Sequence, residues 1–255
     1  MFNSANFKFF GRLQAMVAGR GAEGHDYSFQ QNPAIKDAIE ALGVPHTEVD
    51  LILVAGSPVS FSYHLQDGDP VAVYPVGDFV AASPSAKLTL PPPEPLGFVL
   101  DVHLGKLARR LRMLGFDCRY RNDYADPEII KLALDDGLII LTRDRGILKH
   151  ACVKHGYLVG SQLVDEQVRE VLGRYDLYDR ISPQSRCPSC NGQLREIEKE
   201  RIRQRLQPKT ARYYSQFYIC SSCEKLYWQG SHYKKIAAWL QQRLGPTEKG
   251  GSSGF

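Results

Sequence analysis

The 255-residue chain exceeds the roughly 100–200 residues of a typical domain, and its 43% hydrophobic and 24% charged residues exclude collagen, mucin and wholesale disorder. No apolar run approaches the ~20 residues needed to span a bilayer, and Met1-Phe2-Asn3-Ser4 does not open a signal peptide, so a cytoplasmic protein is expected. The net charge of +4 hides an asymmetry: residues 1–97 carry 5 Lys/Arg against 10 Asp/Glu, residues 98–179 carry 13 against 13, and residues 180–245 carry 13 against 4. Three modules follow, the last basic enough to attract a polyanion.

In chain order, Phe7 and Phe9 alternate with polar residues at period two, which predicts a strand. Asn32-Pro33 predicts a helix start, with Asn as cap and Pro in the first turn, running to Leu42-Gly43. Residues 49–54 read as a buried strand, Asp67-Gly68-Asp69 as a turn, and residues 71–76 as the last strand of this module. The order ββαβ(β)β over residues 1–77 resembles a ubiquitin-type β-grasp. Its closing segment, Leu65 to Val76, resembles sulfur carriers of the ThiS/MoaD type. Those carriers end in a free Gly-Gly, whereas Gly77-Asp78 continues into more chain, so the resemblance implies an interaction or scaffold role and a protein partner rather than sulfur transfer. Residues 78–96 hold five of the 15 prolines and read as a linker; residues 245–255, rich in Gly and Ser, read as a flexible tail.

From 97 to 180 strands alternate with helices, which implies a parallel sheet with right-handed crossovers and helices on both faces. Phe98-Val99-Leu100 is a strand ending at Asp101, followed by a basic amphipathic helix to Leu114 and its stop at Gly115. A strand over 116–121 precedes a helix capped by Asp126 and ending at Gly137. Leu138-Ile139-Ile140-Leu141 delivers Thr142-Arg143-Asp144. A helix reaching His155-Gly156, a strand over 157–159 and a helix from Asp165 to Leu172 complete the pattern.

Ligands of open parallel sheets bind outside the carboxyl ends of the strands. Asp101 and Asp144 each follow a buried strand there, with Asp123 and Asp126 as rivals for a third position and Asp165 as a fourth acid or a cap. Converging carboxylates repel unless a cation neutralises them, and hard oxygen ligands suit Mg²⁺ or Mn²⁺, which can activate water for phosphoryl chemistry. Arg143 and Arg145 flank the second acid and could hold phosphate oxygens. Lys106, with Arg109 and Arg110 near one helical face, could track a nucleic-acid backbone.

Phe98-Val99-Leu100-Asp101, the region from Asn122 to Ile129, and Leu138 through Gly146 resemble the Mut-seven C-terminal RNase domain, over about 98–240. That family belongs to the PIN-like nucleases. The resemblance implies a metal-dependent ribonuclease with an acidic cluster, onto which Asp101 and Asp144 carry over directly, and a ubiquitin-like domain in front is a recurring arrangement for it.

Cys187-Pro188-Ser189-Cys190 and Cys220-Ser221-Ser222-Cys223 are two knuckles whose four thiolates predict a tetrahedral structural Zn²⁺ site within a ribbon over 181–244. The 29 residues between the knuckles require a charged insertion on hairpin arms or a short helix. Tyr213, Tyr214, Phe217, Tyr218, Tyr227, Trp228 and Tyr233, interleaved with basic residues, form either a base-stacking surface or the ribbon core. The expected activity is metal-dependent RNA hydrolysis, with the ribbon gripping RNA. The rival expectation is an RNA- or ribosome-associated binding protein with a degenerate PIN-like domain.

Overall fold

A computed structural model describes residues 2–17, 24–77 and 86–230. Residues 78–85 of the expected linker, the expected tail and residues 231–244 of the expected ribbon, with Tyr233, lie outside the described residues. The chain divides into two compact units, one of residues 1–108 and 117–176, the other of residues 109–116 and 177–255.

The first unit opens with β1 (Asn3–Phe9), β2 (His25–Phe29), α1 (Ile35–Ala41), β3 (Val49–Val54), β4 (Ser57–Pro58) and β5 (Pro70–Pro75). The strands form one sheet in the order β2-β1-β5-β3-β4, with β1 and β5 parallel and the other pairs antiparallel, the topology of a β-grasp. Phe7, Val73, Ile52, Ile35 and Ile39 are fully buried, so the period-two and helical apolar patterns meet in one core. The helix begins later than the Asn-Pro signal predicts, with Ala34 at its N-cap and no side-chain cap. The backbone at 33–35 is occupied otherwise: Leu65 N–H donates to the Pro33 carbonyl at 3.0 Å and Ile35 N–H to the Tyr63 carbonyl at 2.7 Å. Part of the Pro-rich stretch is anchored as well, since Leu88 N–H donates to the Asp50 carbonyl at 2.7 Å.

The same unit continues with β6 (Gly97–Leu100), α2 (from Gly105 to Met113, whose second half enters the other unit), β7 (Asp117–Arg119), α3 (Asp126–Asp136), β8 (Ile139–Thr142), α4 (Arg145–Leu148), β9 (Gly156–Leu158) and α5 (Val164–Arg174). The four strands are all parallel, in the order β7-β6-β8-β9. Every residue of β6, β8 and β9 is buried, as a sheet covered on both faces requires. Val99 and Ile140 are register partners and join Ile129 and Ile130 of α3 in the core, which runs on without a break into the β-grasp core at Leu13, Met16 and Ile39. Phe98, pointing to the opposite face, meets Tyr175 just after α5. Gly137, in the left-handed region at φ 63°, ends α3 and returns its N–H to Ala133.

Three local expectations differ from the structure. Ala125 is the N-cap of α3 and Asp126 its first residue, without a side-chain cap. The helix after Asp144 is four residues long, because Lys149 ends it and the chain turns toward β9. Asp165 lies inside α5, whose N-cap is Leu163, and is exposed.

The second unit carries β10 (Leu194–Ile197), α6 (Lys199–Ile202), α7 (Pro208–Tyr213), β11 (Phe217–Cys220) and β12 (Leu226–Trp228). Its three strands form an antiparallel sheet in the order β10-β11-β12, and the charged insertion folds into α6, α7 and an intervening 3-10 turn over Arg203–Arg205. Phe217 is fully buried. Trp228 packs near both Phe217 and Tyr214 at ring separations of 6.4 and 6.2 Å, whereas Tyr213 is 71% exposed. The ribbon aromatics therefore divide between core and surface.

Candidate active site and metal centre

The carboxyl ends of the central strands β6 and β8 carry Asp101 and Asp144. Asp101 is 4% exposed and hydrogen-bonded through both carboxylate oxygens. Its Oδ1 accepts the His103 N–H at 2.8 Å, and its Oδ2 accepts the Arg143 N–H at 2.7 Å and the Thr142 hydroxyl. Asp144 is exposed and caps α4, its Oδ1 accepting the Gly146 N–H at 2.7 Å. Thr142 joins the two acids: its buried hydroxyl donates to Asp101 and accepts the Asp144 N–H at 2.8 Å. The parallel register of Leu100 with Leu141 brings the strand ends level, so residues distant in sequence share one hydrogen-bonded edge. Thr142 lies within the Leu138–Gly146 segment that carries the family resemblance, but no sequence signal assigns it a role; its bonds to both acids do.

The other expected acids are placed differently. Asp123 is exposed and accepts the Arg121 Nε–H at 2.9 Å, and this hydrogen bond holds its carboxyl below the usual range. Arg121 also pairs with Glu128 at 3.3 Å and lies over the Tyr124 ring. Asp126 is exposed in the first turn of α3. Among the described residues, no three His, Cys, Asp or Glu ligand atoms that include Asp101 or Asp144 gather within 4.8 Å of one another. Lys106 and Arg143 are exposed. Arg145, expected beside them as a phosphate ligand, is engaged elsewhere: its Nη1 donates to the Met16 carbonyl of the β-grasp module at 2.5 Å. Sequence spacing alone cannot distinguish these two uses of a guanidinium.

In the second unit, the Sγ atoms of Cys187, Cys190, Cys220 and Cys223 all lie within 4.8 Å of one another. The edges Cys187–Cys223 and Cys190–Cys220 measure 3.7 and 3.4 Å, near the ~3.8 Å that a tetrahedron with ~2.3 Å metal–sulfur bonds requires. The two knuckles repeat one backbone pattern. Cys187 N–H donates to the Gly192 carbonyl and Asn191 N–H to the Cys187 carbonyl, just as Cys220 N–H donates to Lys225 and Glu224 N–H to Cys220. Asn191 and Glu224, each following the second cysteine of its pair, both adopt the left-handed conformation. Gly192 is required by close approach, since a Cβ there would lie 2.5 Å from Ser222 Oγ. Burial acts to raise the Cys220 thiol, but the N–H groups of Cys223 and Ser222 and the neighbouring thiols bring it down to about 6. All six cysteines are free of disulfides, and this cluster fits a metal ion such as zinc.

No helix among the described residues is long and apolar enough to cross a membrane. The Mut7-C ubiquitin model matches residues 2–81, and the Mut7-C RNAse domain model matches residues 96–240. No curated protein and no solved structure matches the chain. With more than half of its length in that second match, behind a β-grasp module in the expected order, the chain belongs to the Mut7-C RNAse domain family.

Proposed function

We propose that the chain is a metal-dependent ribonuclease whose acidic edge, built on Asp101 and Asp144, hydrolyses RNA phosphodiester bonds. The observation that carries this reading is the joining of the two strand-end acids through Thr142, within a family defined by its RNase domain. The donor set suits a hard divalent cation: Asp101 keeps acceptor capacity on Oδ1, and Asp144 offers Oδ2. Mg²⁺ or Mn²⁺ held there would supply an activated water and charge neutralisation at the phosphate.

The chain's own residues do the rest. Three donors fix the Asp101 carboxylate in one orientation, so it costs no reorganisation when RNA arrives. Arg143 and Lys106, both exposed, would take phosphate oxygens. Asp126 is the better third acid, because Asp123 is already satisfied by Arg121. In the second unit, Zn²⁺ on the four cysteines is structural, and the exposed Tyr213, under the Arg212 guanidinium, offers a face for a base.

The test follows a labelled single-stranded RNA with zinc-loaded protein in Mn²⁺, beside Asp101→Asn and an EDTA control. Cleavage by the wild type that is lost in both controls supports the nuclease. Salt-sensitive binding with no turnover would favour the RNA-binding reading.

A further inference from the structure

The outer strand of the nuclease sheet is closed by the β-grasp module. Just past β9, Val159 N–H donates inward to the Thr142 carbonyl, so the amide groups of Leu158 face away from β8, toward the sheet edge. An unpaired strand edge is a liability, and here it is covered. Leu158 N–H donates to Glu48 Oε1 at 2.6 Å, and the Leu158 carbonyl accepts Arg12 Nη2 at 2.6 Å. Arg12 and Glu48 pair at 3.4 Å, and the Arg12 guanidinium lies over the Tyr157 ring at 4.4 Å. One ion pair thus takes the place of a neighbouring strand.

The grip extends to the acid-bearing turn. Arg145, the first residue of α4, donates to the Met16 carbonyl, and Lys149, just past its last, donates to the Glu40 carbonyl. Between them Ile147 and Leu148 are buried in the core shared with Leu13 and Ile39. Beyond α4, His46 Nε2 bonds the Val153 carbonyl at 2.8 Å. The helix capped by Asp144 is therefore tied at both ends, and from below, to the β-grasp module.

We propose that the β-grasp module is a fixed component of the nuclease in cis, and that Arg145 is a positioning residue that, with Lys149, holds the Asp144 turn in register with Asp101. Thr142 couples the acids, and α4 sets where Asp144 stands at its N-cap. The module's Arg12, Glu40, His46 and Glu48 surface is used internally, so an outside partner must take another face. This inference rests on the nuclease reading for its kinetic consequence but not for its structural one.

The experiment uses the full chain with Arg145→Gln, Lys149→Met and, as a charge control, Lys131→Met at an exposed position of α3. Amide hydrogen exchange of peptides covering 142–148 is read first. A positioning role predicts exchange about tenfold faster in the first two variants and unchanged in the control. In Mn²⁺ with single-stranded RNA, kcat should fall between about tenfold and a hundredfold, with KM and the salt dependence of binding unchanged. A phosphate contact by Arg145 would instead raise KM and flatten the salt slope by about 0.7. Unchanged exchange, or faster exchange with kcat intact, overturns the proposal. Should the wild type not cleave, the nuclease reading fails by itself and the exchange arm alone decides whether the module holds the turn.

Discussion

The cysteine cluster and the acidic edge are two candidate metal centres built in opposite ways. Each cysteine knuckle is a self-contained run whose own backbone bonds, repeated in both copies, aim two sulfurs at one point. Only the meeting of the two copies is long-range. The acidic edge has no local geometry of its own. Asp101 and Asp144 become neighbours only because β6 and β8 pair in parallel register and Thr142 bonds to both acids. A centre of the first kind would depend on a bound metal for its fold; one of the second kind depends on the fold for its shape.

The largest effect expected from this contrast is therefore at the cysteines. Structural zinc contributes on the order of 10–16 kcal/mol to folding of a small module. Chelation, or Cys220→Ser, should unfold the β10-β11-β12 ribbon, read as loss of protection in peptides covering 187–228. The acidic edge should respond oppositely, keeping its fold in EDTA. Ribbon peptides still protected after complete zinc removal would show that hydrophobic burial alone carries the module.

Next in size are the acids themselves. Asp144→Asn keeps the shape of an exposed cap and should leave the melting temperature nearly unchanged while lowering kcat by about a thousandfold, roughly 4 kcal/mol of transition-state stabilisation. Full activity in that variant would remove Asp144 from the mechanism. Asp126→Asn should cost more activity than Asp123→Asn, because only the latter carboxylate is satisfied by Arg121. The reverse order would move the third acid to the β7–α3 loop.

Thr142 sharpens the comparison further. Thr142→Val keeps the volume but strips a buried donor from Asp101 and an acceptor from the Asp144 N–H, a loss of about 1–3 kcal/mol. Activity should fall with it and return in Thr142→Ser, which restores the hydroxyl. A valine variant with wild-type stability and turnover would mean that the coupling is ornamental.

What was legible in the sequence follows the same division. Strand periodicity, the Gly115 and Gly137 stops and the CxxC spacing are local signals, and each places its element within a few residues. The β-grasp order and the strand-end acids were readable because burial writes itself into apolar runs. Thr142 and Glu48 were not, since a hydroxyl ending a strand and a carboxylate before one look like turn chemistry until the fold buries them. The Asn32-Pro33 start failed for the converse reason: a strong local cap signal lost to backbone pairing with residues 63–65. Arg145 shows the limit for charged groups, because a cation beside an acid reads the same whether it meets phosphate or a carbonyl of another module.

Glu48 carries the smallest of these effects and the clearest sign. It is 1% exposed, and burial raises its carboxyl above the ordinary value, with Arg12 and the Leu158 N–H opposing that rise. Between the unfolded value near 4.5 and the raised native one, the folded state binds more protons than the unfolded state. This group therefore favours folding most below the unfolded value, and its contribution declines as pH rises through the native one, by at most about 1.4 kcal/mol per pH unit. Glu48→Gln keeps the oxygen that accepts Leu158 N–H while removing the titration. Urea denaturation of both proteins from pH 4.5 upward should show their stability difference shifting toward the variant as pH increases. A difference that is flat with pH would mean that Arg12 and the Leu158 N–H balance burial, and one that shifts toward the wild type would mean that they outweigh it, making the ion pair at the β9 edge a net source of stability.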